Sequence, residues 1–252
     1  MADFFKNILI PVDFSLNTEV AVKKALEMAD KNATLHLFHV KEWQWLKLGG
    51  LIGRKIGAER NHISIEKKLS EWKWTIEDYN ENIQVKIWVF DGGTVQSGIE
   101  KKAVQLGADL IILSQNTFLP KISFFKTRIC ANNIASKTNV PVLNVQQQSL
   151  HSKIRKVILP VVYQPSPENM EVIAMLCRKY QAKIYLVTFD KGTKEASQQN
   201  ISSLLKMYQS LKMMMNCEVE YGILKGENNK KAVVDFALQI NADVLFIEPK
   251  AN

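Results

Sequence analysis

Apolar runs of strand length alternate with stretches of helical spacing along almost the whole chain. Residues 8–12 (Ile-Leu-Ile-Pro-Val) form a nearly continuous apolar run, as a parallel strand buried on both faces requires. The spacing of Val22, Ala25, Leu26 and Ala29 predicts a helix over 18–30, and 35–40 reads as the next strand. A long amphipathic helix is expected over 56–79, with Ile65, Leu69, Trp72 and Ile76 on its apolar face. Residues 85–90 then read as strand, 95–106 as helix and 109–113 as strand. Isoleucines, a cysteine and alanines between Ile122 and Ala135 suit another helix, ahead of a strand over 140–145. Repeated strand–helix–strand units imply right-handed crossovers and hence a doubly wound parallel α/β sheet.

The pattern occurs twice. Asn7-Ile-Leu-Ile-Pro-Val-Asp13 returns 149 residues later as Lys156-Val-Ile-Leu-Pro-Val-Val162. Ala33-Thr-Leu-His-Leu-Phe-His-Val40 matches Ala182-Lys-Ile-Tyr-Leu-Val-Thr-Phe189 at the same offset. Further on the offset is 134: Val85-Lys-Ile-Trp-Val-Phe-Asp-Gly92 pairs with Val219-Glu-Tyr-Gly-Ile-Leu-Lys-Gly226, and Ala108-Asp-Leu-Ile-Ile-Leu113 with Ala242-Asp-Val-Leu-Phe-Ile247. The shift places extra chain in the first copy around 41–57. A period this long means two full domains rather than a solenoid. The expected organisation is a first domain over 1–146, a polar linker over 147–154 and a degenerate second domain over 155–252. The second copy ends before a fourth helix and a fifth strand, so its fourth strand, 243–247, is expected to need cover along its open edge.

A strand ending Ile8-Leu-Ile-Pro-Val-Asp-Phe-Ser15 before an alanine-rich helix resembles the opening of universal stress protein domains. Asp91-Gly92, Ile99, Ala103 and Gly107-Ala108-Asp109 are similar to that family's third strand, helix and fourth strand, and Val140-Pro-Val-Leu143 to its last strand. The resemblance covers nearly all of 1–146 and, more faintly, 155–248. It implies sheets of strand order 3-2-1-4-5, with ATP held in many members where the winding reverses. There an aspartate after the first strand meets adenosine, and backbone after the second strand holds the base. Those positions are Asp13 and Val40. The phosphates sit in a loop of pattern Gly-x-x-Gly-x9-Gly-Ser/Thr. Here the stretch from Ser114 to Ile129 has no glycine and carries Pro120, which disfavours a nest of backbone N–H groups. Ser114, Lys126, Thr127 and Arg128 remain as side chains that could meet an anion, although a solvated basic helix turn is the simpler reading of the last three. Val162 replaces the aspartate in the second copy. Asp13 itself is either a ligand contact or an acid serving the start of the helix. The chain therefore resembles the branch of the family without the glycine loop, and no cofactor is expected, with ATP in the first domain as the alternative.

Composition narrows the classes. With 33 Lys+Arg against 25 Asp+Glu the net charge is +8, spread as +4 over 1–150 and +4 over 151–252. Diffuse charge without a basic block argues against nucleic acid as the main partner. No apolar run approaches the roughly 18 residues of a membrane span, and the start, with Asp3 leading into a strand, is expected not to be a leader. Cys130, Cys177 and Cys217 are odd in number and widely spaced, fitting neither a disulfide framework nor a metal-ligand pattern, so a reducing, cytoplasmic setting is expected.

Other chemistry is weak. His36 and His39 lie three apart on a strand, so they point to opposite faces and cannot share an ion. Gly49-Gly-Leu-Ile-Gly-Arg-Lys-Ile-Gly57 lacks the Gly-Lys-Ser/Thr of a phosphate loop and reads as a flexible loop. Trp43 and Trp45 beside it read as interface residues, and Met213-Met-Met215 as core filler or helix-end surface. No Gly-x-Ser-x-Gly or His-Glu-x-x-His occurs. The sequence thus points to a non-enzymatic cytoplasmic stress-response protein acting through protein–protein contacts. Its two domains are expected to pair as a pseudo-dimer and the chain to form a homo-oligomer. The alternative is an adenine-nucleotide-binding regulator using the Asp13 cleft.

Overall fold

The computed structural model describes residues 5–41, 46–48, 51–53, 58–114, 129–145, 153–161, 167–190, 194–214, 217–225 and 229–247. They divide into two compact units, one within 1–150 and the other within 151–248. The first unit holds β1 (Asn7–Pro11), α1 (Leu16–Met28), β2 (Thr34–Lys41), β3 (Leu46–Leu48), β4 (Leu51–Gly53), α2 (Ala58–Tyr79), β5 (Gln84–Asp91), α3 (Val95–Leu106), β6 (Leu110–Ser114), α4 (Ala131–Thr138) and β7 (Val142–Val145). Its parallel sheet runs β5-β2-β1-β6-β7, the expected 3-2-1-4-5 order. Ile8, Leu9 and Ile10 of β1 are all fully buried, as a central strand covered on both faces must be. On one face Leu9, Phe38, Ile99, Ala103, Ile111 and Ile134 form the core under α3 and α4. Gly98 lets α3 approach closely: a Cβ there would lie 3.1 Å from Val40 and 3.3 Å from Phe90.

Two expectations in this unit are corrected. The segment read as a flexible loop, 49–57, holds β4, the second strand of a hairpin in which β3 runs antiparallel to β4 in the register Leu46↔Gly53 to Leu48↔Leu51. The sequence did carry the sign, a Gly-Gly pair between Leu46-Lys47-Leu48 and Leu51-Ile52. The hairpin is also the first copy's extra chain, since in the second unit the helix begins at Lys194, soon after the strand ends at Phe189. The helix expected up to Ala135 continues to Thr138 and is closed by Asn139 in the left-handed conformation, φ 55°. Because Asn139 and Pro141 intervene, β7 starts at Val142, not Val140. Residues 122–128 of that expected helix lie outside the described residues, as do Trp43, Trp45 and the linker residues 147–152.

The second unit holds β8 (Lys156–Pro160), α5 (Pro167–Tyr180), β9 (Lys183–Phe189), α6 (Lys194–Met214), β10 (Val219–Leu224), α7 (Asn229–Gln239) and β11 (Val244–Leu245). Its parallel sheet runs β10-β9-β8-β11, the same winding with four strands. Among the described residues no helix is long and apolar enough to cross a membrane.

The repeat extends to individual hydrogen bonds. Asp109, just before β6, accepts the backbone N–H of Lys6 at 2.8 Å and of Asn7 at 3.0 Å, and its own N–H donates to Asn7 O at 3.0 Å. Asp243, just before β11, accepts Arg155 N at 2.8 Å and Lys156 N at 2.9 Å, and its N–H donates to Lys156 O at 2.9 Å. The preceding helices end alike: Gly107 and Asn241 are left-handed, and Ala108 and Ala242 donate back to Ala103 O and Ala237 O. The repeated Ala-Asp pair is therefore a structural clamp between the fourth strand and the first. Burial raises the pKa of the Asp109 carboxyl, and the bonds from Asn7 and Lys6 oppose that rise. Replacing Asp109 or Asp243 by alanine strands two backbone donors, and each substitution is expected to cost about 2–4 kcal/mol. Asparagine, which keeps one accepting oxygen, should cost less. Urea unfolding with an unchanged slope and a lowered midpoint checks both.

Candidate functional site

In a doubly wound sheet the crevice for ligands lies beyond the carboxyl ends of the strands where the winding reverses. Here that point is between β1 and β6, which pair through Ile8↔Leu110 and Leu9↔Ile111, with no further ladder among the described residues. Asp13, Val40 and Ser114 all lie at this end of the sheet; Lys126 and Thr127 lie outside the described residues.

Asp13 is exposed, two residues beyond β1. Its Oδ1 accepts Ser15 N at 3.0 Å, Ser15 Oγ at 2.6 Å and Thr18 Oγ1 at 2.6 Å. The Asp13 N–H in turn donates to Thr18 Oγ1 at 3.3 Å. Ser15 is the N-cap of α1, so the Asp13 carboxylate organises the first turn of that helix. The turn forces Phe14 to φ 60°, an uncommon conformation for a bulky residue. Its ring is held against His39 at 5.2 Å and edge-on to Trp72 at 6.1 Å, with Lys68 Nζ 5.5 Å from its centroid. Trp72 is half-buried in this contact rather than fully in the core.

His39 Nδ1 lies 2.7 Å from Val12 O, so that nitrogen carries the proton and donates to the carbonyl. Burial lowers the His39 pKa, and the bond to Val12 opposes that. The side chain of Val40 is buried beneath α3, which leaves its backbone as the part able to meet a ligand. Ser114 is half-buried and pairs with Val145 at the end of β6.

The second unit treats the same positions more completely. Thr188, which matches His39 in the repeat, is fully buried and donates to Val161 O at 2.9 Å. Asn200, on α6 and also buried, donates to the carbonyl of Phe189 at 3.0 Å. Phe189 matches Val40, so in this unit the corresponding carbonyl is already engaged from within. Sequence reasoning missed Thr188 and Asn200, because neither belongs to any motif and their partners are backbone atoms.

A second polar cluster lies deeper on the first sheet. His36 Nδ1 accepts Trp88 Nε1–H at 3.1 Å, which puts the ring proton on Nε2, 3.4 Å from Asn7 Oδ1. Lys102 Nζ sits 4.1 Å from the Trp88 ring centroid. Burial, then Lys86 and Lys102, lowers the His36 pKa to about 4. His36 packs with Trp88 while His39 packs with Phe14, the opposite facing that their spacing requires. Among the described residues no three His, Cys, Asp or Glu side chains gather as a metal site.

This architecture defines a doubly wound α/β protein with a crevice at the reversal. The universal stress protein family matches residues 4–146, and the chain belongs to that family. Among solved structures it is similar to a universal stress protein from Archaeoglobus fulgidus DSM 4304, at 15% identity and a TM-score of 0.61, over 95% of this chain and 84% of that one. It is also similar to a functionally unknown protein from Pseudomonas aeruginosa PAO1, at 15% identity and a TM-score of 0.53, over 96% and 80%. The cytoplasmic domain of a prokaryotic cation chloride cotransporter shares 13% identity and a TM-score of 0.50, over 88% and 80%. At these identities the likeness is one of fold. No curated protein matches the chain.

Two outcomes follow from the geometry. The folded pKa of His36 lies below its unfolded value of 6.5, so the unfolded chain binds more protons between these limits. Stability is full above pH 6.5 and is lost as pH falls toward 4, by about 3 kcal/mol in all; a His36→Phe variant should flatten that slope in urea titrations across pH. Asp13→Ala should cost about 1 kcal/mol, the worth of a helix-start cap, and the same titration at pH 7 reads it.

Proposed function

We propose that this protein serves a stress response as a non-enzymatic component that works through protein–protein contacts, without ATP as a resident ligand. The observation that carries this reading is the open side of the second sheet. β11 pairs with β8 along one side, and among the described residues no strand pairs with the other. Ile247, two residues past β11, is 59% exposed, and elsewhere in the same unit Val234 and Leu238, one helical turn apart on α7, are 48% and 71% exposed. An unpaired apolar strand edge, in a unit that also exposes aliphatic side chains, is a pairing surface that a folded protein ordinarily covers. The occupant proposed is a second copy of the chain. Sedimentation of the intact protein at about 50 μM should give a dimer, and Leu238→Lys with Ile247→Lys, both at exposed positions, should give monomers. A wild-type monomer at that concentration contradicts the reading.

The engaged Asp13 carboxylate, the donor already on Val12 O and the absence of glycine from Ser114 to Ile129 support the part of the reading that concerns ATP. The exposure of Asp13 at the crevice favours the alternative, a nucleotide-binding regulator. Calorimetric titration with ATP separates them. No binding tighter than about 100 μM, or about 5.5 kcal/mol, is expected. Micromolar affinity abolished by Asp13→Ala would establish the alternative.

A further inference from the structure

Forty residues separate Cys177 from Cys217, yet the fold brings their sulfurs to 3.0 Å. Cys177 lies in the last turn of α5, on the buried face with Ile173 and Leu176. Cys217 is half-exposed two residues before β10, where Glu218 O accepts Ile184 N at 2.8 Å and Val219 turns into the core. Both are free thiols, and the Cys177 S–H donates to the Cys217 sulfur. Closing them to the roughly 2.05 Å of a disulfide requires a movement of about 1 Å.

We propose that Cys177 and Cys217 form a peroxide-sensitive thiol pair, a modification site at which the second unit takes up an intramolecular disulfide reversibly. Exposure sets the order of events. The Cys217 sulfur, reachable from solvent, attacks a peroxide oxygen; the O–O bond breaks, one water leaves and Cys217 becomes a sulfenic acid. The Cys177 sulfur, already in contact, attacks the Cys217 sulfur; the S–O bond breaks, and hydroxide leaves with the Cys177 proton as a second water. Two thiols and one hydrogen peroxide thus give one disulfide and two waters. A thiol reductant reverses the product by exchange. Burial, and after it the contact with Cys217, pushes the Cys177 thiol up, which leaves the more exposed Cys217 as the sulfur that meets peroxide first. The bond would tie α5 to the start of β10, the edge strand opposite β11 in this sheet.

The test uses the full chain. The reduced protein is treated with a few equivalents of hydrogen peroxide, free thiols are alkylated, and peptides are mapped without reduction. The expected result is a cross-linked peptide pair containing Cys177 and Cys217, with Cys130 still alkylated, and full recovery of thiols with dithiothreitol. The oxidised form should melt about 5 °C higher, because the bond closes a long loop. Cys130→Ser should leave the cross-link intact and Cys217→Ser should abolish it. If Cys217→Ser fails to fold, the peptide map of the wild-type chain decides alone. Cys217 accumulating as sulfinic acid with Cys177 still a thiol, a bond between chains, or peroxide consumed at Cys130 first would each overturn the proposal.

Discussion

A parallel strand in the middle of a doubly wound sheet begins with backbone N–H groups that need partners before the ladder is established. In both units one carboxylate meets that need. Asp109 takes the N–H groups of Lys6 and Asn7, and Asp243 those of Arg155 and Lys156. Each aspartate sits directly before the fourth strand, so the same bonds that start the first strand also set its position beside the fourth. That pairing defines the winding reversal in each unit, and with it the place where a doubly wound sheet offers a crevice by topology. Losing the clamp would loosen the central strand, on which both layers of helices rest.

The opposite end of the first strand shows a second shared device with different chemistry. The last carbonyl of the strand region, Val12 O or Val161 O, receives a donor from the neighbouring strand, His39 in one unit and Thr188 in the other. The first unit then spends Asp13 on the turn into α1, while the second has Val162 there and engages Phe189 O through Asn200. Among the described residues, Asp13 Oδ1, Val12 O, Val161 O and Phe189 O are thus bound up in the fold's own hydrogen bonds.

Periodicity and the repeat made the strands and the doubly wound class legible in the sequence, because buried parallel strands are apolar throughout and the matched blocks keep their order. The order 3-2-1-4-5, by contrast, is what the family resemblance implies. The short hairpin escapes the pattern because three-residue strands carry too little periodicity to stand out from a glycine-rich stretch. The end of α4 moved because Asn139 accepts a left-handed conformation and so extends the helix past its last alanine. At the site, Asp13 was visible as an acid after a strand, but its partners Ser15 and Thr18 decide what it does, and a hydroxyl's direction is not written in spacing. Cys177 and Cys217 were unreadable as a pair because β9 and α6 intervene, and only the three-dimensional return of the chain joins them.

Residue-level amide hydrogen exchange tests the clamp most directly. The amides of Asn7 and Lys156 should exchange only when their own sheet opens, as slowly as the central-strand amides of Leu9 and Ile158, and in Asp109→Ala protection at Asn7 should collapse ahead of that at Leu9. Rapid exchange at Asn7 and Lys156 in the unaltered protein, at the rate of fraying strand ends, would contradict the account.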